Sequence, residues 1–320
     1  TLRHTLFPYT TLFRSVPSGV EVGELSRKAA SELGLVKGIP VVTAGGDLQV
    51  AGVGLGITQP GYVSVGIGTG GGVLIYLDEP LRHPTIAMNC LPHAVENAWE
   101  MEGICLASGA AYKWLRDTLY TFEKEIALKE DVDPYHLLNQ QAASVPPGSH
   151  GVLIMPSFMG AGAPNWYPKA RGVILGLTLA TEKKTLIRAM LEGICLEIRW
   201  MLEEAEKLGS PIKEVRIWGG AAKSSLWNQI AADIYGIPAS LTEIREVGLV
   251  GAAILAGLGT NMFNSVEEGV DRLVKITDRY QPNSEMQALY EEKFAIYKDT
   301  YATLASEGIF ERIADQAGQI

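Results

Sequence analysis

One carboxylate stands apart in the N-terminal part of this sequence. In Val41-Val42-Thr43-Ala44-Gly45-Gly46-Asp47-Leu48-Gln49-Val50-Ala51-Gly52, a β-branched run ends in two glycines, then an acid, then an apolar run. Asp47 is the only acid between Glu32 and Asp78. It falls where a strand gives way to a helix, so its charge would lie at the positive end of the helix dipole, a favourable place for an anion. A carboxylate held there could accept a proton from a substrate hydroxyl. A first-turn Asp that only satisfies free backbone N–H groups has the same signature.

Two glycine-rich stretches add binding chemistry. Gly66-Ile67-Gly68-Thr69-Gly70-Gly71-Gly72 lies between two β-rich runs. Successive N–H groups in such a turn can converge on an anion, and Thr69 could add a hydroxyl; a plain glycine hairpin is the competing account. Ile217-Trp218-Gly219-Gly220-Ala221-Ala222-Lys223-Ser224-Ser225 joins a strand to a helix. Its glycines would let a ligand approach the backbone beside a helix N-terminus. A tight turn capped by Ser224 or Ser225 explains the same residues. The first stretch lies between two strands and lacks the Lys-Ser/Thr pair of a Walker A loop, and the second does not satisfy the GxGxxG fingerprint. No HxxxH or HExxH spacing appears among His83, His93, His136 and His150, so no metal-ligand set is expected from the chain. Cys105 and Cys195 fall in apolar helical patterns and should be buried, and no GxSxG elbow is present.

These residues need a scaffold. A helix is predicted over Glu21 to Leu33, closed by Gly34, then a strand from Ile39 to Thr43 leading to Asp47. Gln59-Pro60-Gly61 reads as a turn and a domain boundary. Strands follow at Tyr62 to Ile67, Val73 to Leu77 and Ala98 to Met101, then a helix from Ile104 to about Tyr120. Thr121 to Gly151 reads as a polar, irregular excursion. A strand at Val152 to Met155, a long loop from Ser157 to Gly172 and a strand at Val173 to Leu177 come next. Thr181 should cap a long helix that stops at Gly209. After it come a strand at Val215 to Trp218, a helix from Leu226 to Tyr235, a strand near Ala239 to Leu241, a helix from Leu249 to Leu258 and a tail helix from Ser284 to Leu304. Antiparallel strands followed by β/α alternation predict an α/β fold, a mixed sheet with helices on both faces.

Composition narrows the partners. A net charge of −9 over 320 residues argues against nucleic acid or an anionic membrane surface. Three widely spaced cysteines point to a reducing, cytoplasmic compartment. The longest apolar runs are too short to span a bilayer. The segment Thr5 to Ser15 is similar to a translated sequencing adapter, so residues 1–15 are expected to be non-native.

In their order and spacing these motifs resemble the later part of FGGY-family carbohydrate kinases, xylulokinase-like members above all. The matching stretches include Ala44-Gly45-Gly46-Asp47, Ile67-Gly68-Thr69-Gly70-Gly71, Leu191-Glu192-Gly193, Trp218-Gly219-Gly220-Ala221-Ala222-Lys223-Ser224 and Gly248 through Gly251-Ala252-Ala253. The resemblance implies an actin-like ATPase (ribonuclease H-like) fold and an ATP-dependent phosphotransferase that uses Mg2+. Asp47 would be the base that takes the proton from the sugar hydroxyl. Gly68, Thr69 and Gly70 would belong to a phosphate loop, and Gly219, Gly220 and Ala221, with Asn228 nearby, would form the adenosine site. The expected partner is a small sugar or polyol, with a homodimer as a possible assembly.

The expected organisation is a remnant of the first family domain over residues 16–58 and a C-terminal nucleotide-binding domain over 59–320. The family's Asp-x-Gly-Thr phosphate loop has no counterpart, which also makes an inactive, truncated nucleotide-binding module one of the alternatives. The loop after Gly160 departs from the family pattern too, reading Ala161-Gly162-Ala163-Pro164 and Trp166-Tyr167 where a Glu-Arg pair and a Trp-Asp are usual. The sugar is therefore open among xylulose, glycerol, ribulose and a signalling carbohydrate.

Overall fold

The computed structural model describes residues 16–82, 84–85 and 87–318, so the adapter-like segment and His83 lie outside the described residues. The described chain divides into two compact units. One comprises residues up to Thr58, His93–Ala98 and Glu246–Val274; the other comprises Gln59–Pro92, Trp99–Arg245 and the chain from Lys275.

In the first unit, strand β1 (Glu21–Glu24) pairs antiparallel with β2 (Pro40–Val42). The helix predicted over Glu21 to Leu33 is shorter than expected. Its first residues join this ribbon, and helix α1 (Arg27–Leu33) starts only after Ser26, whose hydroxyl accepts from Ala29 N–H. Gly34 closes it in the left-handed conformation, the usual role of a glycine just past a helix end. Asp47 opens α2 (Asp47–Gly54), which packs on α8 (Val247–Gly259). The helices cross where both lack side chains. A Cβ on Gly54 would lie 1.8 Å from the Val247 carbonyl oxygen, and one on Gly251 would lie 1.9 Å from that of Val50. Val50, Val53, Val250, Ile254 and Leu255 fill the core around this crossing. Chain well beyond the Gln59-Pro60-Gly61 turn thus folds with the residues around Asp47.

The second unit is built on a seven-stranded mixed sheet in the order β11-β10-β9-β3-β4-β6-β5. Its strands are β3 (Tyr62–Ile67), β4 (Gly71–Leu77), β5 (Asn89–Pro92), β6 (Trp99–Cys105), β9 (Glu214–Gly219), β10 (Ala239–Thr242) and β11 (Ile276–Tyr280). The pairs β3/β9 and β9/β10 are parallel, and the other pairs are antiparallel. This is the mixed α/β architecture the element order predicted. The segment expected to be irregular, Thr121 to Gly151, instead contains α4 (Thr121–Glu130) and α5 (Pro134–Ala143). Asp133 accepts from Tyr135 N–H and Pro134 sits in the first turn, a helix-start pair hidden by the polar composition around it.

Helix α6 (Lys183–Lys207) runs through the core, buried almost all round from Ile187 to Ile198. Thr181 does not cap it; its hydroxyl accepts from Thr178 N–H, and Glu182 takes the cap position. Beside α6, β7 (Leu153–Met155) pairs with β8 (Val173–Leu175), and Gly193 lets the helix ride directly on the Ile154 carbonyl. Cys195 is buried in α6 as predicted; Cys105 is buried too, but at the end of strand β6, which runs on to it, so the helix expected from Ile104 starts only at Ser108.

Glu197 of α6 is buried as well, and burial pushes its carboxyl up to about 7, against a smaller opposing effect of the Cys105 thiol hydrogen bond. A carboxyl with a raised folded-state value holds its proton longer when folded than when unfolded. Its contribution is complete below the ordinary value of 4.5 and disappears as pH rises through about 7. Glu197→Gln should match the parent in denaturant unfolding at low pH and exceed it by about 3 kcal/mol above neutrality. Parallel pH–stability curves for the two proteins would contradict this.

Candidate active site

The site starts from the parallel pairing of β3 and β9. Their register sets Gly66 opposite Trp218 and Ile67 opposite Gly219, so both chains leave the sheet at the same end and side by side. Ligands collect at such carboxyl ends, where diverging connections open a crevice. Here the connections are the two glycine stretches. Gly68, Thr69, Gly220 and Ala221 line one cavity of about 820 Å³, together with residues of the neighbouring helices.

The glycines around it serve different purposes. Gly219 has φ +85°, and a Cβ there would lie 2.6 Å from the Ile67 carbonyl oxygen; the backbone geometry requires glycine. Gly71 and Gly72 are demanded by packing, since a Cβ would come within 2.4 Å of Ser108 Oγ and 2.7 Å of the Gly103 carbonyl. Gly68 and Gly220 differ. A Cβ on either would find nothing of the protein nearer than 3.7 Å, so the bare backbone at these two positions faces room that packing leaves open.

The first turn is anchored through its carbonyls. Gly68 N–H donates to Gly70 O (2.8 Å), and the first N–H groups of α3 (Ser108–Leu119) take the other acceptors, Gly109 to Gly68 O and Ala110 to Thr69 O, each at 2.9 Å. Gly109 permits this approach, because a Cβ there would lie 2.1 Å from Gly68 O. The second turn runs as a short 3-10 segment (Gly220–Lys223) into α7 (Ser225–Tyr235). Ser224 caps α7 by accepting from Trp227 N–H at 3.2 Å, as one reading of the sequence predicted.

The remaining walls come from α3, α5 and the start of α7. Tyr112, Tyr135 and Trp227 form an aromatic cluster, with Tyr112 5.0 Å from Tyr135 and 5.5 Å, edge-on, from Trp227. The Tyr112 hydroxyl donates to Asn139 Oδ1 at 2.9 Å, and burial pushes its own proton loss well above the ordinary tyrosine range. The Arg116 guanidinium lies over Tyr135, 4.7 Å from the ring centre. At the rim, hydrogen bonds from Lys113, Lys124 and Arg116 hold the Asp117 carboxyl far below the usual carboxylate range. A space lined by both bare backbone and aromatic side chains suits a ligand that carries an anionic group and a planar, polar head.

Of the residues singled out by sequence, Gly68, Thr69, Gly220 and Ala221 meet at this cavity. Gly70 and Gly219 shape the turns behind it. Asn228 is buried in α7, where its Nδ2 donates to Ala222 O at 3.3 Å while Oδ1 has no partner. Asp47 belongs to the other compact unit, exposed in the first turn of α2, with its Oδ1 accepting from Leu48 N–H at 2.9 Å. Sequence reading missed Tyr112, Tyr135, His136 and Asn139; the Asp133-Pro134 helix start was the one local signal for the last three. Among the described residues no group of three or more His, Cys, Asp or Glu could hold a metal ion, and no helix is long and apolar enough to cross a membrane.

The two kinds of glycine can be told apart by substitution. Gly219→Ala should lower unfolding free energy by about 1–3 kcal/mol, because alanine must adopt a left-handed backbone against a carbonyl. Gly220→Ala should stay within about 0.5 kcal/mol of the parent. Urea titration of both variants checks this; equal losses would remove the distinction.

The chain is 35% identical over 300 residues to an autoinducer-2 kinase of Yersinia enterocolitica, an alignment covering 91% of this chain and 56% of that protein. Among solved structures it is similar to xylulose kinase from Rhodospirillum rubrum, at TM-score 0.80 and 26% identity, covering 93% of this chain and 58% of the other. Glycerol kinase from Plasmodium falciparum shares the fold at TM-score 0.77 and 21% identity, over 95% of this chain and 59% of that one. The chain spans about half the length of the curated relatives it matches. Residues 63–260 match the C-terminal domain of the FGGY family of carbohydrate kinases, and the chain belongs to that family.

Proposed function

We propose that this chain supplies the nucleotide-binding part and the general base of an ATP-dependent carbohydrate kinase. The observation that carries the reading is the meeting of two glycine turns at one cavity, with bare backbone at Gly68 and Gly220 and aromatic rings beyond. In this reading Gly68 and Thr69 cradle the transferred phosphate on the turn that Gly70 shapes, and Gly220 and Ala221, on the turn made by Gly219 and backed by Asn228, hold the adenosine. Tyr112, Tyr135 and Trp227 supply flat apolar surface for the base. Mg2+ would come with the nucleotide rather than on a ligand set of this chain, and would supply charge compensation at the phosphates. Asp47 accepts the proton of the attacking hydroxyl.

Phosphoryl transfer suits so sparse a set of groups. Its transition state spreads charge over the phosphate oxygens and asks for positioning and electrostatic stabilisation more than covalent chemistry. Backbone N–H groups of the turns, apart from that of Gly68, which is bonded to Gly70 O, would supply that without reorganising.

The acceptor is a small sugar, xylulose being one candidate from the structural resemblance. The higher identity to an autoinducer-2 kinase favours a second reading, in which the acceptor is a signalling carbohydrate. A reducing cytoplasm suits the three free thiols, Cys90, Cys105 and Cys195.

Calorimetric titration of the chain with ATP tests the cavity, and absence of binding would overturn the nucleotide assignment. In an enzyme carrying this chain, Asp47→Asn should lower sugar-dependent ADP release by about 10²–10⁴-fold while nucleotide affinity stays unchanged. Unaltered turnover would remove Asp47 from the mechanism. A panel of xylulose, glycerol and autoinducer-2 as acceptors separates the two substrate readings.

A further inference from the structure

Away from the cavity, four successive residues take positive φ: Gly148 (+82°), Ser149 (+52°), His150 (+50°) and Gly151 (+83°). Glycine adopts this region freely, but Ser149 and His150 do not, and such a run persists only where the surroundings over-determine it. Here they do. Glu192 of α6 accepts from Gly148 N–H at 3.0 Å and from the Ser149 hydroxyl at 2.9 Å. Lys293 of α10 (Ser284–Ser306) donates to the carbonyls of the first residue of the run and of the residue after it, Gly148 O at 2.7 Å and Val152 O at 2.8 Å, and pairs with Glu192 at 2.9 Å. Arg188 and the Tyr290 hydroxyl complete the shell of Glu192, at 2.9 and 3.0 Å. Glu192, Ser149 and Tyr290 are fully buried, and Arg188 and Lys293 nearly so.

A buried carboxylate with two buried cations is a costly way to hold one turn. What the turn holds gives the reason. Helix α5 ends at Ala143, and the four-residue connector to the turn contains Pro146 and Pro147, whose fixed φ makes it stiff. Helix α5 carries Tyr135, His136 and Asn139 on the cavity and Leu138 and Ala142 in the core. The turn therefore fixes the C-terminal connection of the helix that brings Tyr135 to the cavity, a helix that also packs on α6. By contrast, the glycine turns are fixed by β3, β9 and α3.

We infer that Glu192 and Lys293 are positioning residues for the head of the nucleotide, acting through the left-handed turn on α5 and leaving the phosphate end untouched. The inference rests on the nucleotide reading of the cavity. Calorimetry on this chain with ATP and, separately, with inorganic tripolyphosphate tests it. Glu192→Gln should raise the Kd for ATP by about tenfold and leave that for tripolyphosphate unchanged. Adding His150→Gly, which accepts the left-handed backbone without a clamp, should restore ATP affinity in the double variant. Unchanged ATP affinity in Glu192→Gln, equal weakening of both ligands, or failure of the glycine rescue would each overturn the inference. If Glu192→Gln does not give folded protein by circular dichroism, Ser149→Ala, which removes a single bond of the clamp, must show the same ATP-selective loss. A parent chain that binds neither ligand would instead refute the nucleotide reading itself.

Discussion

The parallel pairing of β3 with β9 is the constraint on which the cavity depends. Two strands distant in sequence, Tyr62–Ile67 and Glu214–Gly219, run the same way in one sheet, so their C-terminal connections emerge together. Had they paired antiparallel, one glycine turn would lie at each end of the sheet and no common cavity would form. The register is held tightly: Trp218 donates from its indole to Ser64 Oγ at 2.9 Å, and its ring occupies the space where Gly66 has no side chain. Gly219 then turns away in a conformation that a side chain would block against Ile67.

Helix α6 is the second organising element, because it carries buried polar chemistry in two directions. Glu192 faces the 148–151 turn and α10, where Arg188, Lys293, Tyr290 and Ser149 satisfy it. One turn further on, Glu197 meets the Cys105 thiol, and burial rather than a cationic partner governs its proton. The two carboxyls illustrate how neighbouring sites on one helix acquire opposite electrostatics. One is compensated by charge and hydrogen bonds, the other is relieved by holding its proton.

Close backbone approach recurs wherever these elements meet. Gly54 and Gly251 let α2 and α8 cross without side chains between them, Gly193 seats α6 on β7, and Gly109 brings α3 onto the first glycine turn. In each case a Cβ would collide with a carbonyl oxygen, so these glycines are structural. Gly68 and Gly220, which line the cavity, meet no such contact. Nothing in their local sequence distinguishes them from Gly71 or Gly219.

By itself the sequence determined the mixed α/β class, the strands carrying both glycine turns, a serine cap at Ser224 or Ser225 and the burial of Cys195 in its helix, because periodicity and capping are local. The family was legible too, since its motifs are short and lie in fixed order. Composition misled where polar residues form helices, so α4 and α5 read as an irregular excursion and the walls carrying Tyr135 and Asn139 went unseen. Only the tertiary structure decided which residues share the cavity, which glycines packing requires, and that Glu192 braces a left-handed turn more than forty residues earlier in the chain. Those outcomes depend on register, helix crossings and buried ion pairing, which arise between segments distant along the chain and leave no periodic trace within either one.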